Sequence, residues 1–364
     1  MSSPRLIHLV ASNVWGGAER AALDLCTQFR GEGWSVTAYT RDARAVDARF
    51  EARGIDLRHA PLQGASDIIS ARLLARHLRA EPRGTIVHAH RYRDALMTLA
   101  AKTLARRPDI RTVVTRHVVA HPRSPRFLGP AYALIDAHIY VSDLARRRCL
   151  ASFAPAQHKI VSARSHVITD GLRLGRTPVV PEPDRGPIVA MYHGRLIPGK
   201  GLETLIDALP RLKGRRTRLR IVGSGNPDYV DTLRRRAFSR GVAPLIDWHR
   251  YTPDVLPLIQ TAHFGVTPSI LAEAFGLPNI EYMAAGRPVI TSCTGAQSEY
   301  ITHGREGLLV APADADILAR AMLALASDAD MRRRMGAAAR IRFEAQLAWP
   351  HVADAHRRLY LSLL

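Results

Sequence analysis

The stretch Ile188–Leu209, IVAMYHGRLIPGKGLETLIDAL, decides how this chain folds. It opens with the continuous apolar run Ile188–Tyr192, passes through a turn that contains three glycines, and continues as a helical pattern. A strand that is apolar at successive positions is buried on both faces, which is typical of a parallel sheet covered by helices. The stretch therefore predicts one strand–turn–helix unit of an α/β domain.

The same unit recurs along the chain, with helical patterns such as Ala18–Arg30 and Ile68–Ala80 between short apolar runs. The other predicted strands are Leu6–Ala11, Val36–Tyr39, Thr85–Ala89, Thr112–Thr115, Ile139–Val141, Leu219–Val222, Phe264–Thr267, Pro288–Thr291 and Leu308–Val310. The proline-rich segment Arg176–Pro187 interrupts the pattern and predicts a linker. We expect two tandem doubly wound, Rossmann-like domains, residues 1–175 and 188–346, whose ligands bind beyond the carboxyl ends of the strands.

Composition narrows the class of protein. The 364 residues are 47% hydrophobic, enough for two cores, yet no apolar stretch reaches the 18 or more residues of a membrane span. The three cysteines stand singly, and the start of the chain lacks the long apolar run of a signal peptide. These features predict a cytoplasmic location, with thiols buried rather than paired in disulfides.

The net charge of +20 is unevenly distributed. Residues 1–174 hold 27 basic and 14 acidic side chains, a net +13, whereas residues 175–364 hold 25 and 18, a net +7. One interpretation is peripheral contact of the first half with an anionic membrane or a phosphorylated acceptor. The other is a genome bias towards arginine, since only four of the 52 basic residues are lysine. Nucleic-acid binding is disfavoured, because aromatic residues are only 6% and no known module appears.

Two glutamates, Glu273 and Glu281, stand eight positions apart in EAFGLPNIE, directly after a predicted strand. We expect a helix to begin at Asn279, so that Glu281 projects from its first turn and Glu273 lies in the loop before it. Carboxylates accept hydrogen bonds from the vicinal hydroxyls of ribose or hexose. A solvated surface pair is the alternative. The residues whose backbone N–H groups would face an anion or sugar hydroxyls are Phe275, Gly276 and Leu277.

A glycine-rich turn, GRLIPGKG, follows the strand Ile188–Tyr192. Its Gly194-x4-Gly199-Lys200 spacing nearly matches a phosphate-binding P-loop, but glycine stands where the magnesium-binding Ser or Thr would be. An NTPase is therefore disfavoured. Arg195 and Lys200 instead predict a clamp for a leaving diphosphate.

Further candidates follow strands of the first half. Gly16 and Gly17 occupy a strand-to-helix turn that allows close approach to a phosphate. His88 and His90 form an HxH pair, but no third ligand is evident nearby, so we expect no metal site. The acidic pairs Asp314–Asp316 and Asp328–Asp330 precede helical patterns and predict helix caps.

Together these residues resemble the family 4 retaining glycosyltransferases of the GT-B fold, over nearly the whole chain. The similarity lies in GGAER (16–20), TRH (115–117), YVSDLARR (140–147), HGRLIPGKGLETLIDAL (193–209) and VTPSILAEAFGLPNIEYMAAGRPVIT (266–291). The closing segment, about 347–364 with Trp349 and Tyr360, is similar to the family's helix that crosses back to the first domain. The chain departs from the family at VITDGL (167–172), where Pro-Asn-Gly is more frequent.

The resemblance implies a role for each matching position. Arg195 and Lys200 neutralise the donor diphosphate beside Gly194, and Gly16 and Gly17 close on the phosphates. Glu281 binds ribose. The residues implied near the transferred sugar are Glu273 and His117.

The implied reaction is transfer of a sugar from a nucleotide-diphosphate donor to a glycan or lipid-linked acceptor, of the cell-envelope or lipopolysaccharide type. Fixed cations and helix N-termini stabilise the leaving group without Mg²⁺, so no cofactor or metal is expected. Two alternatives remain: a GT-B-like phosphorylase or epimerase, and an inactive basic protein that binds membranes or polyanions.

Overall fold

The computed structural model describes residues 3–122, 124–173 and 179–364. The chain divides into two compact units, Met1–Asp170 with Pro350–Leu364, and Gly171–Trp349. Each unit is built on one parallel sheet with helices between successive strands. The first unit thus ends at Asp170, whereas the sequence placed the end of the first domain at residue 175.

The first unit contains a seven-stranded sheet. Its strands are β1 Arg5–Val10, β2 Ser35–Thr40, β3 Asp56–His59, β4 Ile86–Ala89, β5 Arg111–Arg116, β6 Ala137–Tyr140 and β7 Ser165–Val167. Its helices are α1 Gly17–Gly31, α2 Arg44–Glu51, α3 Ile68–Leu78, α4 Tyr92–Ala105, α5 Pro125–Tyr132, α6 Asp143–Leu150 and α7 Pro155–Ala163. The last helix of the chain, α14 Trp349–Leu363, returns residues 350–363 to this unit.

The second unit contains a six-stranded sheet. Its strands are β8 Ile188–His193, β9 Thr217–Val222, β10 Ile246–His249, β11 Phe264–Thr267, β12 Val289–Ser292 and β13 Gly307–Val310. Its helices are α8 Leu202–Ala208, α9 Pro227–Ser239, α10 Leu256–Gln260, α11 Leu277–Ala284, α12 Ala315–Ser327 and α13 Ala329–Arg342. Short 3₁₀ turns and one π turn, Phe343–Leu347, complete it.

The strand order confirms the doubly wound architecture. The sheets run β3-β2-β1-β4-β5-β6-β7 and β10-β9-β8-β11-β12-β13, and all pairs are parallel. The chain therefore reverses direction across the sheet between β1 and β4 in the first unit, and between β8 and β11 in the second. Ligands of such sheets bind at this reversal, beyond the carboxyl ends of the two strands.

All ten predicted strands are present, and three strands were missed. The missed strands β3, β7 and β10 each lie at an edge of a sheet. Their sequences, DLRH, SHV and IDWH, are polar and only partly buried. An edge strand is covered less than a central one, so the continuous apolar run that identified the other strands is absent here.

The segment predicted as a linker begins with residues 176–178, which lie outside the described residues. Residues 179–187 form no helix or strand and are bound to the second unit. The carboxylate of Glu182 accepts hydrogen bonds from the buried Arg332 guanidinium at 2.8 and 3.0 Å. The carbonyl of Pro183 lies 3.1 Å from Nε2 of His263, whose Nδ1 accepts the backbone N–H of Val189. Most of the proline-rich segment is therefore part of the second unit.

The two acidic helix caps are confirmed. The carboxylate of Asp314 accepts the backbone N–H groups of Asp316 and Ile317, and that of Asp328 accepts the N–H of Met331. Within the described ranges, no helix combines the length and apolar character needed to cross a membrane.

The buried pair of Glu182 and Arg332 gives a stability prediction. Glu182→Gln should lower the free energy of unfolding of the second unit by about 2–3 kcal/mol, because it leaves the buried guanidinium without a counter-charge. Chemical unfolding followed by tryptophan fluorescence measures the change. Asp330→Asn, which removes the exposed partner of Arg333, is the matched control and should change stability by less than about 0.5 kcal/mol. Equal midpoints for both variants would contradict the anchoring role of Glu182.

Candidate active site

In the second unit, the loops that follow the neighbouring strands β8 and β11 run side by side. The backbone N–H groups of Ile270 and Leu271 donate to the carbonyl oxygen of Gly199 at 2.8 and 3.1 Å. Gly201 has a left-handed φ of 74°, and a Cβ at this position would lie 1.8 Å from the carbonyl oxygen of Pro268. Only glycine permits this approach, so the glycines of the β8 loop are needed to bring the two loops together.

The contact between the loops joins two predicted site residues. The Lys200 ammonium donates to Oε1 of Glu273, and the Ser269 hydroxyl donates to the same oxygen at 2.7 Å. Both charged side chains are half-buried. The sequence assigned Lys200 and Glu273 to different parts of the donor, and the structure shows them as one hydrogen-bonded ion pair.

Arg195 is placed differently from Lys200. Its carbonyl oxygen accepts the Tyr192 hydroxyl at 2.9 Å, which fixes the backbone of the turn next to Gly194. Its side chain is exposed and forms no ion pair with the described residues. The structure therefore brings Lys200, but not the Arg195 guanidinium, against Glu273.

Helix α11 begins at Leu277, two residues earlier than expected. Glu281 is consequently its fifth residue, and the expectation that it projects from the first turn is wrong. Gly276, with φ 94°, precedes the helix, and a proline fills the first turn, where its missing N–H is not needed. Asn279, the expected start, is instead buried and accepts a hydrogen bond from the Thr267 hydroxyl through Oδ1.

The backbone at the start of α11 has unused donors. The Tyr300 hydroxyl donates to the carbonyl oxygen of Phe275 and thereby fixes the loop. Among the described residues, the N–H groups of Phe275, Gly276 and Leu277 donate to no other atom. They remain available at a helix N-terminus, where the helix dipole favours an anion.

Glu281 contacts a residue that the sequence analysis did not single out. Nε2 of His193, the last residue of β8, lies 2.6 Å from Oε2 of Glu281. Nδ1 of His193 lies 2.8 Å from the Tyr282 hydroxyl, which itself donates to the carbonyl oxygen of Met191. Because the tyrosine proton is used there, Nδ1 of His193 is the donor to the Tyr282 hydroxyl. The sequence did contain a signal that could have identified His193 as a site residue. It stands at the end of a central strand, directly before the glycine turn.

A cavity of about 500 Å³ lies at the ends of β8, β9 and β10. A Cβ on Gly223 would lie 1.9 Å from the carbonyl oxygen of Gly194, so this glycine allows the β8 and β9 loops to pack. The structure therefore gives the GSG sequence at 223–225 a packing role. The residues that line the cavity include Leu196, Asp231, Arg234, Trp248 and Tyr251.

In the first unit, the predicted glycine turn lies between β1 and α1. Gly16 is the N-cap of α1 and Gly17 is its first residue. The carbonyl oxygen of Gly16 accepts the N–H of Arg20, which closes the first helical turn. The strand–glycine–helix arrangement is confirmed.

The expectation that no third potential ligand lies near His88 and His90 is wrong. His8 of β1 is in register with His88 of β4, and one ring nitrogen from each of the three histidines lies within 4.8 Å of the others. All three side chains are buried. The sequence alone does not indicate this cluster, because His8 becomes a neighbour of His88 only when β1 pairs with β4 in the folded sheet.

These imidazoles are already hydrogen-bonded to protein groups. Nδ1 of His88 lies 2.6 Å from the Tyr360 hydroxyl, and its Nε2 lies 2.7 Å from Thr115 Oγ1. His90 also uses both nitrogens, one towards His8 and one towards His117. Burial is the main cause that lowers the pKa of His88 and His90 well below the usual range and that of His8 to about 3. The cluster is a hydrogen-bonded network of neutral rings.

His117, which follows β5, ends a row of three rings that we call the histidine chain: His8, His90 and His117. Nδ1 of His8 lies 3.0 Å from Nε2 of His90, and Nδ1 of His90 lies 3.1 Å from Nε2 of His117. Nδ1 of His117 lies 3.4 Å from Oδ1 of Asp170 without the alignment of a hydrogen bond. The structure thus places His117 between a histidine and an aspartate.

Two family models match the chain in tandem. Residues 15–172 match the model described as Glycosyltransferase Family 4, and residues 177–342 match the model described as Glycosyl transferases group 1. Glycogen synthase of Mycobacterium tuberculosis is 32% identical over 298 residues, which cover 77% of this chain and 69% of the relative. The O-antigen chain mannosyltransferase C of Escherichia coli is 25% identical over 383 residues, with 99% of each chain covered.

The fold agrees with these matches. HepE of Anabaena, solved in complex with UDP and glucose, aligns with a TM-score of 0.82 and 18% sequence identity, covering 99% of this chain and 100% of that chain. This likeness shows the GT-B fold. With the two family models and the similarity to glycogen synthase, it establishes that the chain is a glycosyltransferase that belongs to the group 1 family.

Proposed function

We propose that this enzyme transfers a sugar from a nucleoside-diphosphate donor to a glycan or lipid-linked acceptor of the cell envelope, with retention of configuration and without a divalent metal. The observation that carries the proposal is the pair of Lys200 and Glu273 at the reversal of the second sheet. It places a cation for a phosphate beside a carboxylate for sugar hydroxyls. Lys200 and Glu273 belong to loops that follow β8 and β11, and a parallel sheet places such loops together at the carboxyl ends of its strands.

The surroundings of this pair support a diphosphate donor. Cleavage of a glycosyl–diphosphate bond leaves negative charge on the phosphate, and fixed donors that face this charge lower the barrier. Lys200 and the unused N–H groups at the start of α11 are donors of this kind. The Arg195 side chain, which has no ion-pair partner among the described residues, adds a second cation that is able to turn towards a bound anion. These groups supply positive charge without a metal ion.

The contacts of Glu273 and Glu281 support binding rather than covalent chemistry. One oxygen of Glu273 already accepts hydrogen bonds from Lys200 and Ser269, and this reduces its strength as a nucleophile. We propose that it orients the transferred sugar and does not form a glycosyl intermediate. Glu281, held by His193, is proposed to bind the ribose hydroxyls. The cavity of about 500 Å³ at the ends of β8, β9 and β10, with Trp248 in its wall, is of a size that accommodates a nucleobase.

The relatives support the classes of donor and acceptor. HepE was solved with UDP and glucose, and the Escherichia coli relative that aligns over 99% of the chain is an O-antigen mannosyltransferase. The excess of basic residues in the first half favours an acceptor that carries negative charge or lies at an anionic membrane.

The donor class is tested with a panel of UDP-, GDP- and ADP-sugars, each assayed for thermal stabilisation and slow hydrolysis. At least one donor should stabilise the protein and release its nucleoside diphosphate, and excess EDTA should leave the rate largely unchanged. A sugar 1-phosphate accepted in place of a nucleotide sugar would favour a phosphorylase. Loss of activity with EDTA that Mg²⁺ or Mn²⁺ restores would contradict the metal-free reaction.

Removal of the clamp should affect turnover more than stability. Lys200→Ala and Arg195→Ala are each expected to lower kcat by roughly 10²–10³, the usual effect of losing a preorganised charge donor. Lys213→Ala is the matched control. It removes an exposed lysine that precedes β9 and therefore lies at the amino-terminal ends of the strands, away from the proposed site. If both clamp variants turn over as fast as the control, the diphosphate assignment is wrong.

The proposed membrane contact depends on charge and can be measured by sedimentation with vesicles. Binding to vesicles rich in anionic lipid should exceed binding to neutral vesicles, with about 1 kcal/mol for each basic residue near the surface, and should weaken as salt is added. Equally weak binding to both would leave arginine bias as the explanation of the charge and favour an acceptor in solution.

A further inference from the structure

The histidine chain of the first unit has a property that follows from counting its protons. Its three rings offer six nitrogens, and four of them form the two ring-to-ring contacts. Each contact needs one N–H and one lone pair. The remaining nitrogens, Nε2 of His8 and Nδ1 of His117, are buried and have no hydrogen-bond partner among the described residues.

Burial lowers the pKa of His8 to about 3 and that of His90 well below the usual range. With His117 neutral as well, the three rings hold three N–H protons in total. Two of these protons lie in the ring-to-ring contacts. The third must lie on an outer nitrogen, either Nδ1 of His117 or Nε2 of His8. If it lies on His117, all three rings carry the proton on Nδ1. If it lies on His8, all three carry it on Nε2. No other neutral arrangement keeps both contacts, so the three rings change tautomer together.

We propose that Asp170 selects the first arrangement and so fixes His117 as a neutral ring protonated on Nδ1. Oδ1 of Asp170 lies 3.4 Å from Nδ1 of His117, and the two side chains are only 13% and 11% exposed. A carboxylate accepts hydrogen bonds and attracts an N–H, whereas it repels a lone pair. In the second arrangement the lone pair of Nδ1 would face this charge.

The other polar groups around the histidine chain do not select one of its two tautomers. His88 lies against His90 and His8, with ring centroids 4.6 and 5.0 Å apart, but both its nitrogens contact hydroxyl groups. His356 of α14 interacts electrostatically with Asp170 and His117, and its Nδ1 lies 2.9 Å from the carbonyl oxygen of Val352. Among the described residues, Asp170 is the only carboxylate within ion-pair distance of His117.

The assignment has a consequence for the reaction, and this consequence rests on the proposed function. Nε2 of His117 accepts the proton of His90, and Nδ1 carries a proton, so neither nitrogen is free to act as a base. His117 then serves as a fixed neutral imidazole, and Asp170 is its positioning residue. Asp170 stands in the VITDGL segment, where the resembling family more often has asparagine, so the carboxylate is a property of this chain.

The tautomers can be observed in the intact protein by long-range ¹H–¹⁵N correlation spectra of ¹⁵N-histidine, with each ring assigned from its His→Gln variant. At neutral pH we expect His8, His90 and His117 to be neutral and protonated on Nδ1. Asp170→Asn, whose amide is also able to donate, should shift all three rings together towards the Nε2-protonated form. Asp136→Asn changes a carboxylate at the amino-terminal ends of the strands of the same sheet, and it should leave the tautomers of the three rings unchanged.

An Nε2-protonated or positively charged ring in the wild-type chain would overturn the proposal, as would identical spectra for wild type and Asp170→Asn. These spectra need no substrate, so they test the tautomers even if no nucleotide sugar is turned over. With an active donor, Asp170→Asn should lower kcat by about ten-fold, with the donor KM and the midpoint of thermal unfolding little changed, and Asp170→Glu should restore part of the loss. Full turnover by Asp170→Asn despite altered tautomers would overturn the positioning role in the reaction.

Discussion

The site in the second unit depends on one steric constraint, the close contact of the backbone at Gly201 with the carbonyl of Pro268. Any side chain at residue 201 would separate the loops after β8 and β11. The hydrogen bonds to Gly199 would then be lost, and Lys200 would move away from Glu273. The charged pair is thus held by backbone packing and not by its own attraction, which is modest for half-buried groups. Preorganisation of this kind allows a cation to face a leaving phosphate without rearrangement during the reaction.

Sequence patterns identified the central part of each sheet and the loops that matter, because buried parallel strands must be apolar throughout. The edge strands β3, β7 and β10 escaped detection since half-exposed strands carry charged and polar residues such as those of DLRH. The predicted start of α11 lay two residues too late. Asn279, which was taken as the start, is buried inside the helix and hydrogen-bonded to Thr267. Propensity alone does not reveal a tertiary contact of this kind.

The site residues show the same division. Gly199, Lys200 and Glu273 lie in sequence motifs, and a motif is sufficient to find them. The partners that determine their state, such as His193 for Glu281, become neighbours only when strands distant in sequence are paired. His8 is the clearest case: it stands in an ordinary apolar strand, and its relation to His88 follows only from the β1–β4 register. Polar groups buried in a network of this kind restrict one another, and their number of arrangements is small.

The return of the final helix to the first unit affects how the protein is made. Tyr360 packs against Phe29 and contacts His88 at the centre of the first unit, yet residues 171–349 are synthesised before it. At the usual pace of translation, the ribosome needs roughly 10–35 s for the intervening segment. During this time the surface that α14 will cover, which includes Phe29 and the polar network around His88, remains open. The nascent first unit therefore remains an incomplete domain, with part of its apolar surface uncovered, until residues 350–364 are synthesised.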